Sequence, residues 1–208
     1  MISLVSEEAI GKTAMVRHVY KRLGIRQHFQ CRVWVHVREE FAYKDLLLII
    51  LKQIPICLLK DIELMSKKEL RQLVFHTLMK FRYIMVLDDA CTKDMWFNLL
   101  RPFADATNGS RVILTTHHFN VASEADPWSC PLNMRQLTEE ESWVLFLKNV
   151  GSRRSPENSS DLNNFWEGIL GICQGLPPKI LLLGGLLSTI ELSDWSRVID
   201  RSQYGEDK

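Results

Sequence analysis

The order of apolar patterns along this chain predicts an α/β fold, a parallel sheet with helices on both faces, followed by a small all-helical subdomain. Three observations carry the prediction. Short β-branched runs alternate with helix-period segments from residue 1 to about residue 135, the signature of strands joined by helical crossovers. The first of these runs, Ile2 to Val5, leads through a tight loop into Gly11-Lys12-Thr13 at the head of an amphipathic helix. Beyond residue 135 only helical patterns recur. The expected domains are therefore 1–135 and 136–208.

The elements follow in order. A helix is expected from Lys12 to Leu23, because Val16, Val19, Tyr20 and Leu23 recur at helical spacing and Gly24 can end it. Phe29 to Val37, alternating and rich in Val and Trp, reads as a strand. Tyr43 to Ile54 is an apolar helix stopped by Pro55, and Ser66 to Glu69 is a capping box ahead of a second helix. Tyr83 to Leu87 is a strand running directly into Asp88-Asp89. A short helix is expected near Lys93 to Leu100. Asn108-Gly109 makes a turn into the strand Arg111 to Thr115, and Cys130 to Met134 is a fifth strand. Thr138 to Glu141 is another capping box, opening a helix through Trp143 to Val150. Gly151 to Ser160 reads as a polar loop, and Asp161 as the cap of a helix reaching Cys173. Gly175-Leu176-Pro177-Pro178 breaks the chain before a helix to Leu187, and Ser193 opens a last short helix.

The bulk properties narrow the function classes. Apolar residues make up 46% and charged residues 25% of the 208, an ordinary globular composition. The formal net charge of +1 lends no support to a nucleic-acid or membrane-surface role resting on the overall field. Five scattered cysteines form no C-x-x-C pair, so neither zinc nor a disulfide framework is indicated; reduced thiols and a cytoplasmic location are expected. The N-terminus lacks the basic and apolar regions of a signal peptide. The longest apolar run, Ile180 to Leu187, is too short to span a bilayer.

The chemistry concentrates in Ser6 to Thr13. A strand, a tight loop and Gly-Lys-Thr at a helix N-terminus form the setting of a phosphate-binding loop, whose backbone N–H groups converge on phosphate oxygens. Lys12 would reach the outer phosphates and the Thr13 hydroxyl would hold Mg²⁺. The expected nucleotide-binding positions are Ser6, Ile10, Gly11, Lys12, Thr13 and Ala14. Ser6 stands where the first glycine of the G-x-x-x-x-G-K-[ST] pattern belongs. A nucleotide switch also needs carboxylates at the end of a neighbouring strand. Asp88 is the candidate second Mg²⁺ ligand, and Asp89 the candidate residue that orients or deprotonates the attacking water. Taken alone, the pair also reads as a strand leaving the sheet at a polar turn. Thr115-Thr116 ends a further strand, where Thr116 could sense a terminal phosphate; an ordinary polar turn reads the same way.

These blocks together resemble the NB-ARC nucleotide-binding module of plant intracellular disease-resistance receptors. The similarity runs in order through Gly-Lys-Thr with Val19-Tyr20, Val33-Trp34-Val35, Tyr83 to Asp89, and Asn108 to Thr116 with Val121-Ala122. It continues through Leu137 to Phe146 and Gly175-Leu-Pro. The resemblance implies a P-loop NTPase sheet domain followed by the family's first helical (ARC1-like) subdomain. It implies ADP or ATP with Mg²⁺ as ligands, ADP in the resting state and exchange for ATP on activation. It places Pro177 on the adenine side of the nucleotide; a helix-starting proline is the plain reading of the same residue. Adenine nucleotide, and other receptor domains or proteins, are the implied partners, with no nucleic acid.

The chain departs from the family pattern at Ser6, Glu8 and Ala9, which replace glycines, at His117, which replaces an arginine, and at Pro178, which replaces a leucine. Each of Ser6, Glu8 and Ala9 places a Cβ where left-handed freedom is expected, so weakened affinity is anticipated; at most slow ATPase activity is anticipated because His117 cannot replace an arginine's fixed charge. It also stops short of the family's signalling, winged-helix and leucine-rich repeat parts, and so reads as a fragment or truncated product. A scaffold that keeps the fold but has lost nucleotide binding is the alternative reading. A small-molecule kinase lacks any recognisable lid.

Overall fold

The computed structural model describes residues 1–37, 41–55, 61–90, 108–151 and 162–203. The expected helix at 93–100, the loop at 152–160 and the Asp161 cap lie outside them. The described chain divides into two compact units: Met1–Glu7 with Lys12–Met134, and Glu8–Gly11 with Arg135–Lys208.

The first unit is built on a five-stranded, wholly parallel sheet in the order β2-β3-β4-β1-β5. The strands are β1 (Ile2–Val5), β2 (Cys31–His36), β3 (Tyr83–Asp88), β4 (Arg111–Thr116) and β5 (Leu132–Asn133). Every residue of β3 is buried, as a central parallel strand covered on both faces requires. One core packs Val33, Val35, Met85, Leu87, Val112 and Leu114 against α3 (Tyr43–Gln53) and α4 (Lys67–Leu78). The opposite face packs Leu4, Ile84, Val86 and Ile113 with Val16 of α1 (Lys12–Lys21). The alternation of side chains along each strand assigns these two sets to the two faces. The α4 capping box forms as expected: Glu69 N–H donates to Ser66 Oγ (3.3 Å) and Ser66 N–H donates to Glu69 Oε2 (2.8 Å).

Several boundaries differ from the sequence expectation. The first helix stops at Lys21, where Arg22 takes an extended conformation (φ −60°, ψ 140°), and a separate α2 runs Leu23–His28. Gly24 therefore lies inside a helix rather than ending one. A seven-residue helix, α5 (Phe119–Ala125), follows β4 unannounced; it buries Val121, Ala122 and Ala125. The fifth strand is only two residues long, because pairing with β1 is confined to Leu4↔Leu132 and Val5↔Asn133.

The second unit is helical: α6 (Glu139–Gly151), α7 (Trp166–Cys173), α8 (Pro177–Leu187) and α9 (Trp195–Gln203). Its core is aromatic. Trp143 stacks on Phe146 (centroids 5.2 Å) and meets Trp166 edge-on (5.0 Å), while Phe146 meets Trp195 edge-on (5.9 Å). Such pairs contribute about 0.5–1.5 kcal/mol each beyond burial. The buried Trp195 indole N–H donates to Leu187 O at 3.0 Å. Gly175 makes the turn into α8 at φ +70°, with Leu137 O 2.5 Å from where a Cβ would stand. No larger residue fits there. Pro177 and Pro178 open α8 at its first two positions, where a missing N–H costs nothing. Among the described residues no helix is long and apolar enough to cross a membrane.

Candidate nucleotide site

The sheet order explains how distant residues meet. β4 lies between β1 and β3, so the carboxyl ends of these three strands deliver Val5, Thr116 and Asp88 to one edge. Ligands of open parallel sheets bind outside that edge. Helix α1 starts there, directly after Gly11, whose φ of +101° only glycine adopts without strain.

Lys12 is buried at 6% exposure. Its ammonium donates to Ser6 O and Glu7 O (both 2.9 Å) and to Ser6 Oγ (3.1 Å), and lies 3.1 Å from His117 Nδ1. An ammonium has no lone pair, so Nδ1 must accept, and the ring proton sits on Nε2. That nitrogen is 3.1 Å from Asp89 Oδ1. Lys12, His117 and Asp89 thus form one chain of polar contacts. Among the described residues Asp89 is one of four non-glycine residues at positive φ (+64°), and its N–H donates to Thr115 Oγ1 at 2.9 Å.

Asp88, 1% exposed, is the second anchor. Its Oδ1 accepts from Thr13 Oγ1 (2.7 Å) and Thr115 Oγ1 (2.8 Å), and Oδ2 lies 3.6 Å from His36 Nδ1. A threonine hydroxyl and a buried carboxylate are hard oxygen donors of the kind Mg²⁺ takes one or two of, leaving its other positions to water and phosphate. Thr13 and Asp88 fit that ion. No cluster of three or more His, Cys, Asp or Glu among the described residues makes a protein-only metal site.

The structure brings Ser6, Lys12, Thr13, Asp88 and Asp89 together at one strand edge. Ala14 is exposed in the first turn of α1, and Ile10 is buried at 6%. Thr116 is fully buried; its hydroxyl donates to Ala90 O and accepts the His118 N–H (3.1 Å). The threonine turned toward Asp88 is Thr115, because successive strand residues face opposite ways. Thr115 and His36 join the site without having been singled out. The Thr-Thr pair and the alternation of β2 were the available signals. Pro177 stands at the head of α8 in the helical unit.

The altered loop is narrower in its consequences than the sequence suggests. Of Ser6, Glu8 and Ala9, only Ala9 has positive φ (+60°). The backbone at Ser6 and Glu8 makes no demand for glycine. Ser6 instead adds a hydroxyl that holds Lys12.

The NB-ARC domain family matches residues 1–156. The chain is 31% identical over 201 residues to the disease resistance protein RPP13 of Arabidopsis thaliana, covering 95% of this chain and 24% of that one. It is 32% identical over 200 residues to the late blight resistance protein R1-A of Solanum demissum, covering 95% and 15%. It thus spans a quarter or less of the length of these relatives. Two solved structures share its fold. One is a signal transduction ATPase with numerous domains from Pyrococcus horikoshii (TM-score 0.59, 16% identity, 95% of this chain and 29% of that one). The other is Drosophila ORC bound to DNA (TM-score 0.68, 16% identity, 98% and 61%). With the strand–loop–helix site in place and three quarters of its residues matched, the chain belongs to the NB-ARC family.

Proposed function

We propose that the chain is the ADP/ATP-binding switch module of a plant disease-resistance protein, with weak or no hydrolysis. The observation that supports this best is the Thr13–Asp88 hydrogen bond at 2.7 Å, made across 75 residues at the head of a helix that begins with Lys12. P-loop nucleotide sites use that juxtaposition of hydroxyl, carboxylate and ammonium. Lys12 neutralises the outer phosphates. Thr13 and Asp88 would hold Mg²⁺, which would supply positive charge against the phosphates. In this reading Asp89 orients the attacking water, and Pro177 lies on the adenine side of the nucleotide. The domain assignment follows: 1–135 for the nucleotide-binding domain and 136–208 for the ARC1-like subdomain, in a cytoplasmic protein.

Hydrolysis is weak in this reading because His117 stands where an arginine would supply fixed charge, and its ring is held between Lys12 and Asp89. One observation favours the scaffold alternative. The Lys12 ammonium is already satisfied by loop carbonyls and His117, so a nucleotide must displace those contacts. Displacement of a fluorescent ADP analogue separates the readings. ADP and ATP should compete and GDP should not, with Mg²⁺ altering the affinity. Failure of the analogue to bind at high protein concentration would leave the scaffold.

A further inference from the structure

The near-zero net charge conceals a segregation. Between residues 12 and 37 there are six Lys or Arg and no Asp or Glu, so the other residues together carry −5 of the chain's +1. Lys12 belongs to the phosphate site. The other five are on the surface: Arg17 and Lys21 are exposed on α1, Arg22 in the break between the helices and Arg26 on α2, and Arg32 is half-buried on the edge strand β2. None of the five has a carboxylate partner among the described residues. Arg22 lies 3.5 Å from His18 Nε2.

Aromatic rings interleave with these cations. The Arg17 guanidinium lies over the Trp34 ring (5.6 Å), Trp34 meets Tyr20 edge-on (5.2 Å), and the Arg32 guanidinium lies over Tyr20 (5.3 Å). Cation–π contact holds each guanidinium over a ring, which pre-orders planar groups among charges that lack carboxylate partners. Surfaces that combine these two features bind the backbone of an unpaired strand electrostatically and stack its bases on ring or guanidinium planes.

We propose that the α1–α2–β2 face is a binding surface for single-stranded nucleic acid, separate in chemistry from the phosphate loop. An acidic peptide or an anionic lipid would use the charges but leave the interleaved planes without a role.

The test is fluorescence anisotropy with a labelled 15-nucleotide oligo-dT and the matching oligo-rU, using the whole 208-residue chain. Binding is expected at 50 mM salt, weakening with a log–log salt slope of about −2 to −3.5 for three to five phosphate contacts. The combined variant Arg17→Gln, Lys21→Gln, Arg22→Gln, Arg26→Gln should bind at least about tenfold more weakly with a shallower slope. All four side chains are exposed, three on helices and Arg22 in the break between them, and circular dichroism verifies the fold. Three results would overturn the proposal: no binding, unchanged binding in the variant, or displacement by excess Mg·ADP, which would assign binding to the phosphate loop. Equal affinity for an abasic strand or polyglutamate would overturn it too, because the surface would then read charge alone.

Discussion

Replacing Ala9 by glycine should stabilise the protein, although glycine normally weakens a fold. Ala9 holds φ +60° in the phosphate loop, a conformation that costs a residue with a Cβ about 1–2 kcal/mol. Glycine removes that strain but adds about 0.4–1 kcal/mol of freedom to the unfolded chain. The difference leaves a net gain of about 1 kcal/mol. For a chain of this size that raises the thermal midpoint by about 2–4 °C, readable by circular dichroism in the far ultraviolet. Glu8→Gly supplies the control. Glu8 is exposed and lacks a positive φ, so only the entropic term applies and the midpoint should fall. Ser6→Gly should also fall, because it deletes an acceptor of the buried Lys12 ammonium. An Ala9→Gly midpoint at or below the parent's, or equal shifts for Ala9→Gly and Glu8→Gly, would refute the assignment of strain to that residue.

Three further outcomes are expected. Phosphate release from ATP should run well below the ~10 per second typical of enzymes; rapid release that disappears in Asp89→Asn would contradict the proposed role of His117. Native alkylation at pH 8 should label the exposed Cys130 ahead of Cys31 and Cys173, which are fully buried. Burial pushes both of these thiols up to about 11, and peptide mass spectrometry reads the order. The Arg135 side chain, and then the Thr138 backbone, hold the Glu141 carboxyl down at about 2. Because the folded value is depressed, the stability it adds is full above the unfolded value near 4.3 and disappears as pH falls toward 2. An NMR titration should show Glu141 moving up toward the ordinary range in Arg135→Gln, stopping short of it because the Thr138 N–H still donates to the carboxylate.

Most of the sheet was legible in the sequence because parallel strands buried on both faces must be continuously apolar, as Tyr83 to Leu87 is. The capping boxes at Ser66 and Thr138 were legible because a side chain three residues on reports the same hydrogen bond. The break at Arg22 was not, because nothing in Lys21-Arg22-Leu23 forbids a continuous helix; only Arg22's extended backbone ends it. Lys12, Thr13 and Asp88 could be named from local motifs. Their meeting with Thr115 and His117 depends on β4 lying between β1 and β3, a long-range fact that no local pattern encodes. The basic face was hidden by averaging, since a net charge of +1 sums a cationic segment with an acidic remainder.

The central claim is that Lys12, at the head of α1, is where this chain holds the phosphates of an adenine nucleotide. Titration calorimetry with Mg·ADP on the parent and on Lys12→Ala tests it most directly, with circular dichroism recorded on both. The account predicts measurable binding by the parent, lost in the mutant while the spectra superimpose. Equal affinity in the two proteins would contradict it.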